Sequence, residues 1–373
     1  MKITDVRAIP LAIPYKRMDL PSPWTDGVRR QLLVRVQTDD GLVGWGEAFA
    51  LGPTLAVCHV IEESLRPLLL GEPPTEIERL TDRLHRATLL FGRRGLGMFA
   101  ISGVELALWD LAGKARGVPA YELLGGLVQP RVGAYASLLR YDRPEHVAAA
   151  AREAVARGFA GVKLHQTDLA SVRAAREAVG GDVALMLDVN CPWSPAEAIR
   201  VGRALAEYEL AWFEEPVWPP EDYRGLAEVA AALETPVAAG ENEATVFGFR
   251  ELLAQRAVDI LQPSVTKVGG LGEAKKICTL AAAWNVPVVP HSFYFGPGLA
   301  ATLHLIAATP GLAWVEYPGG ELETPILTEP IRAAEGSVAV PGGPGLGVEI
   351  NEDAVRRYPY AAGAARPFTT AAR

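Results

Sequence analysis

The sequence predicts an α/β fold, a (β/α)-barrel of modified TIM type carrying an N-terminal α+β capping domain that the C-terminal tail completes. Two observations lead there. From about residue 131, short apolar runs alternate with Ala-rich amphipathic segments until eight runs have passed, and the polar residues ending those runs recur every 23 to 27 residues. A parallel strand followed by a returning helix consumes about that length, and eight such units close a barrel. No GxGxxG follows any of the runs, as a dinucleotide-binding open sheet would require. The one Gly-rich stretch, PGGPGLG at 341–347, comes after the alternation has ended and reads as a turn.

The elements follow in order. Residues 3–13 and 31–37 have strand character, and Asp39-Asp40-Gly41 turns the chain into a third strand at 42–47, which predicts an antiparallel meander. Helical patterns follow at 54–70, 75–90 and 97–116, the last closed by Gly117 and Pro119. The eight barrel strands are predicted in VGAYASL, FAGVKLH, VALMLDVN, AWFEEP, TPVAAGEN, VDILQPS, VPVVPHS and LAWVEYP, each but the last preceding a helical stretch. The chain thus divides into a capping domain at 1–125, a barrel at 126–330 and a C-terminal segment at 331–373 expected to return to the cap. Its 373 residues exceed a usual single domain, and 49% hydrophobic composition can fill a large core.

Composition narrows the function. The net charge of −8 is spread along the chain without a Lys/Arg block, which argues against nucleic acid as a partner and for small-molecule chemistry. Cys58, Cys191 and Cys278 lie far apart, without the pairing of a disulfide framework or zinc ribbon. No apolar run has the length of a signal segment, and none is read as the roughly 18 to 20 apolar residues of a membrane span. The expectation is a cytoplasmic protein that meets no membrane.

A parallel barrel brings all its strand ends to one face, so polar residues there mark the active site. Here they are Lys163 and His165, Asp188 and Asn190, Glu214 and Glu215, Glu241 and Asn242, Ser264, His291, and Glu316. Asp188, Glu214 and Glu241 end three successive strands. Each alone could cap the following helix, but three carboxylates converging on one cavity repel unless a cation lies between them. Hard oxygen ligands select Mg²⁺, or Mn²⁺, over zinc.

With the motifs KLH (163–165), LDVN (187–190), WFEEP (212–216), AAGEN (238–242), TKVGG (266–270), PHS (290–292) and WVEYP (314–318) on the page, the chain resembles the enolase superfamily, in its mandelate-racemase-like branch, over nearly its whole length. The resemblance implies Asp188, Glu214 and Glu241 as metal ligands, and Lys163 and His165 as candidate bases on the second strand. It further implies His291 as base or acid on the seventh strand and Glu316 as the acid that hydrogen-bonds the substrate carboxylate. It also implies a homo-oligomer. Asn190 and Ser264 are candidates for substrate contact. The implied chemistry is removal of the proton next to a substrate carboxylate, with Mg²⁺ stabilising the enediolate, as the superfamily is known to do.

Two departures bear on mechanism. The second basic position of the KLH motif is His165, where the branch often carries lysine, and imidazole can take up a proton near neutral pH. Ser264 stands where relatives with a His-Asp dyad carry aspartate, so His291 lacks a charged partner. The leading expectation is therefore an acid-sugar dehydratase in which Lys163 or His165 removes the α-proton and His291 protonates the leaving β-hydroxyl. The alternatives are a racemase or epimerase, in which opposed bases exchange one proton, and a non-catalytic binding protein, which would have no use for three adjacent charges. The segment 14–30 is expected to form a lid, with Tyr15, Lys16, Arg17 and Trp24 as candidate contacts. Trp45, Trp109, Trp193, Trp212, Trp284, Trp314 and His304 read as structural.

Overall fold

Alternating apolar and polar residues let the first strand bury one face, and in the computed structural model β1 (Ile3–Pro14) pairs antiparallel with β2 (Val28–Thr38), which pairs with β3 (Val43–Ala48). Residues 1–16, 20, 22 and 25–361 are described, so Arg17 and Trp24 lie outside the described residues. Gly41, at φ 86°, turns β2 into β3. The second strand begins earlier than the sequence suggests because β1 runs on to Pro14 and pairs Ile13 with Arg29, which draws 28–30 out of the loop.

Behind the sheet lie α1 (Thr54–His59), a π turn (Val60–Leu65), α2 (Arg66–Leu69), α3 (Ile77–Ala87) and the 21-residue α4 (Leu96–Arg116); α5 (Ala120–Leu123) leads to the barrel. The contact between α4 and β3 depends on missing side chains: a Cβ on Gly46 would stand 2.0 Å from the Gly103 carbonyl. This lets two backbones approach closely. By length and apolarity α4 could cross a membrane, but 83% of that window is buried inside the protein.

The barrel strands are β4 (Arg131–Ser137), β5 (Gly161–Leu164), β6 (Ala184–Asp188), β7 (Trp212–Glu214), β8 (Val237–Ala239) and β9 (Ile260–Leu261), joined in parallel order. Helices α6 (Pro144–Ala156), α7 (Leu169–Val179), α8 (Pro195–Leu205), α9 (Tyr223–Ala232), α10 (Thr245–Ala254) and α11 (Leu271–Ala283) follow them. The seventh predicted strand is reduced to a bridge between Leu261 and Val288, because Pro287 and Pro290 have no N–H for a ladder. After α12 (Pro297–Ala307), β10 (Trp314–Pro318) pairs with β4 and closes the barrel.

The tail touches both units. Its hairpin, β11 (Ala333–Ala334) and β12 (Ser337–Ala339), adds to β4, while Leu346 N–H donates to Asp110 on α4 and, past α13 (Glu352–Arg357), Pro359 bridges to Leu11 on β1. His304 is fully buried, its Nδ1 accepting from Tyr121 N–H and its Nε2 facing the Leu346 carbonyl, so it is structural.

Buried carboxylates of the cap fix it to the barrel. Glu105 on α4 accepts from the N–H groups of Leu271 and Gly272 at the start of α11 (2.7 and 2.8 Å) and from Trp109 Nε1 (2.6 Å). Glu47 on β3 likewise accepts from Gly298 N–H at the start of α12 (2.9 Å). Burial pushes both carboxyls up to about 7, opposed by those donors. Glu105→Ala would strand two buried backbone donors, so a loss of about 2–4 kcal/mol in unfolding free energy is expected by urea titration. A loss under about 1 kcal/mol would show that water satisfies the α11 terminus instead.

Candidate active site at the barrel mouth

The predicted strand-end residues converge. Asp188 ends β6, Glu214 ends β7 and Glu241 follows β8; one carboxylate oxygen from each lies within 4.8 Å of the others, and all three residues are buried. Lys163 on β5 sits under them, with Nζ 2.8 Å from Glu214 Oε1, 3.0 Å from Glu316 Oε1 and 3.5 Å from Asp188 Oδ2. Burial alone would lower the lysine pKa, but these carboxylates outweigh it and hold the ammonium well above its ordinary range. Lys163 is therefore a fixed cation. Burial likewise pushes Asp188 upward, but Lys163 and His165 prevail and keep it ionised. Glu316, for the same reason against Lys163 and His291, is held at about 2, and its Oε2 accepts from Ser292 N–H at 2.7 Å.

Two imidazoles approach this centre. His165 Nδ1 is bonded to the Leu138 carbonyl, which only accepts, so that nitrogen carries a proton. The other nitrogen, Nε2, faces Asp188 Oδ2 at 3.3 Å. His291 Nε2 stands 2.9 Å from Glu241 Oε2 and 4.0 Å from Glu316 Oε2. Its Nδ1 meets only hydroxyls, Ser264 Oγ at 3.1 Å and Tyr294 OH at 3.3 Å. Ser264 is fully buried behind the imidazole, bonded to Tyr294 at 2.5 Å, and takes no place on the cavity wall. Asn190, in the left-handed region at φ 52°, does line the cavity, and its backbone N–H caps Asp188.

A cavity of about 470 Å³ lies between this constellation and the cap. His165, His291, Asp188, Glu241 and Glu316 form its floor; Tyr15, Arg29, Phe49 and Trp218 belong to its upper wall. Lys163 and Glu214 lie beneath the floor. Lys16, one of the lid candidates, instead pairs with Glu321 at 3.5 Å.

Sequence reasoning missed three groups. Lys267, in the turn after β9, donates to Glu241 Oε1 (3.2 Å) and Asn242 Oδ1 (3.0 Å). Its TKVGG motif was a signal, but gave no direction for the side chain. Tyr294 and Arg29 stand off the strand ends, where no periodicity marks them. Glu215, bonded by Asn242 Nδ2 at 2.6 Å, is pushed up to about 8 by burial and the neighbouring Glu241 and Asp188 charges, and is protonated near neutral pH. With all four ionised, as cation binding requires, Asp188, Glu214, Glu241 and Glu316 against Lys163 and Lys267 leave two negative charges in a buried space. A divalent cation between Asp188, Glu214 and Glu241 would cancel them, and all-oxygen donors suit a hard ion.

Comparisons with known proteins agree with this geometry. Residues 22–125 match the model of the mandelate racemase/muconate lactonizing enzyme N-terminal domain, and residues 146–354 that of the enolase C-terminal domain-like family. The chain is 38% identical to a D-galactarolactone cycloisomerase of Agrobacterium fabrum over 96% of this chain and 99% of that one. It is 38% identical to an arabinonate dehydratase of Saccharolobus solfataricus over 87% and 89% respectively. A crystal structure of a 3,6-anhydro-D-galactonate cycloisomerase from Zobellia galactanivorans superposes with a TM-score of 0.87 at 33% identity, covering 97% of this chain and 100% of that one.

Proposed function

The chain belongs to the enolase superfamily, in its mandelate racemase/muconate lactonizing enzyme branch, and from that premise we propose that it is an acid-sugar dehydratase, a lyase that converts an aldonate or aldarate into a 2-keto-3-deoxy acid. The observation that carries this reading is the pair of cavity-facing imidazoles, His165 and His291, set against one carboxylate-lined centre. Elimination of water needs one group to take the α-proton and another to give a proton to the departing β-hydroxyl, and two imidazoles on one cavity supply both.

His165 Nε2 takes the α-proton, since its Nδ1 is already committed to Leu138. Lys163, buried and held charged by three carboxylates, does not accept it; its ammonium instead offsets the negative charge that develops on the substrate carboxylate. Glu316 would orient that carboxylate by a hydrogen bond only once protonated, a form that the arriving negative charge of the substrate favours. His291 donates its Nε2 proton to the β-hydroxyl, which leaves as water, and the enol tautomerises to the ketone. Asp188, Glu214 and Glu241 would hold Mg²⁺, which supplies positive charge to the developing enediolate. The named activities of the relatives, arabinonate dehydratase and D-xylonate dehydratase at 38% and 34% identity, support the acid-sugar class. An isomerase is the second reading, favoured by the likeness to the D-galactarolactone cycloisomerase; a racemase is supported less.

The enzyme acts on a small carboxylate as a cytoplasmic homo-oligomer; the three free, buried cysteines and the exposed apolar run Leu89, Leu90 and Phe91 support those two assignments. Incubating the protein and Mg²⁺ with a panel of aldonates and aldarates tests the function. The expected result is 2-keto acid from a subset of the panel. Interconversion of stereoisomers without keto acid would establish the racemase or epimerase instead.

A further inference from the structure

The upper wall of the cavity carries a cation that no salt bridge neutralises among the described residues. Arg29, near the start of β2, is only 7% exposed yet lines the cavity with Tyr15 and Thr25. Its Nη2 donates to the Phe293 carbonyl at 2.7 Å, and the guanidinium lies 5.2 Å from the ring centre of Phe293 and 5.8 Å from that of Phe295. These contacts fix the plane of the fork but bring no negative charge. Nε is buried with no partner, and no salt bridge joins Arg29 to a carboxylate among the described residues.

The neighbouring cations are already neutralised. Arg30 grips Asp26 with both Nη atoms (3.0 and 2.7 Å), and Lys267 is committed to Glu241 and Asn242. Glu47 lies near enough for the Arg29 charge to lower its pKa, but the two form no salt bridge, and Glu47 Oε2 accepts from Gly298 N–H. Buried donors are satisfied in nearly all folded proteins, and a buried guanidinium without an anion is costly. A group that completes it only on binding is the economical explanation.

We infer that Arg29 is a specificity-determining residue that receives a second carboxylate of the substrate, so that the cavity takes six-carbon aldarates, acids at both ends, in preference to aldonates. The inference rests on the acid-sugar reading. One carboxylate of the diacid lies at the floor, beside Glu316 and Lys163, and the other reaches Arg29. Guanidinium matches a carboxylate with two parallel N–H donors, a geometry an aldonate's terminal hydroxymethyl cannot use.

The test pairs acids of one configuration, galactarate with D-galactonate and D-glucarate with D-gluconate. Calorimetric titration into Mg²⁺-loaded His165→Asn protein measures binding without turnover, so the selectivity is read even if the chain dehydrates neither acid. The diacid of at least one pair is expected to bind about 10- to 100-fold more tightly. Adding Arg29→Gln should reduce that ratio to under about threefold, and Arg29→Lys, which keeps the charge without the fork, should give an intermediate ratio. Tighter binding of the monoacids in both pairs, or a ratio that Arg29→Gln leaves unchanged while both affinities fall together, overturns the inference and leaves Arg29 a clamp on the Phe293 loop. If the Gln variant does not fold, the ratio in Arg29→Lys decides alone: an unchanged ratio overturns it.

Discussion

Glu214→Gln should lower kcat/KM by about 10³-fold or more and remove measurable Mg²⁺ binding, because metal stabilisation of developing charge contributes several kcal/mol and each tenfold is about 1.4. The substitution keeps side-chain volume and one acceptor oxygen, enough for Lys163 or the Trp212 indole but not for both, since they now reach Oε1 and Oε2 of Glu214 at 2.8 Å each. What it removes is one charge of three within 4.8 Å. In the protein without a cation, burial and the Asp188 and Glu316 charges push Glu214 well above the usual carboxylate range in spite of Lys163. The site thus holds more negative charge than its own cations offset, and a divalent ion relieves that excess. Calorimetry on chelator-treated protein reads binding, and kinetics with added Mg²⁺ or Mn²⁺ reads rescue. Full activity of the chelator-treated wild type would end the assignment of these residues as metal ligands.

Much of this centre is legible in the sequence, and for a definite reason. A parallel barrel has a repeat of strand plus helix, so residues spaced by that repeat must share a face; Asp188, Glu214, Glu241 and Glu316 could be placed by counting. Groups that enter off the repeat could not. Lys267 reaches Glu241 from a turn, Tyr294 reaches Ser264 from the loop beyond the reduced seventh strand, and Arg29 comes from a different domain. Counting also left Lys163 and His165 as equal candidates for the base, since both end the same strand. They separate only through burial: Lys163 is enclosed by three carboxylates, while His165 reaches the cavity. The shortened seventh strand was written in Pro287 and Pro290, whose missing donors count for more than the apolar run around them.

The division of labour between the histidines leads to an isotopic prediction. His165→Asn should lose both exchange of the substrate α-hydrogen with deuterated solvent and keto-acid formation, each by about 10²- to 10⁴-fold, the usual cost of removing a general base. His291→Asn should lose keto-acid formation by a similar factor while α-exchange persists, because proton removal at His165 Nε2 does not pass through the seventh strand. Proton NMR in deuterated buffer follows both reactions in one sample. Exchange and elimination falling together in His291→Asn would make the two steps concerted, and keto acid formed at the wild-type rate would take His291 out of the reaction. The hydroxyls behind His291 explain why it should donate and not abstract. Ser264 Oγ and Tyr294 OH, with Thr266 bonded to the same tyrosine oxygen at 2.6 Å, orient the ring without offering charge. Ser264→Asp would place a carboxylate behind Nδ1 and favour retention of the proton at the ring. That variant should therefore eliminate water more slowly than the wild type on the acid side of the profile, where both rings are protonated and the variant is the weaker donor, with the loss shrinking on the alkaline side if donation is the slow step. A Ser264→Asp enzyme with unchanged elimination across that range would show that the neutral hydroxyl pair has no bearing on which way the His291 proton moves.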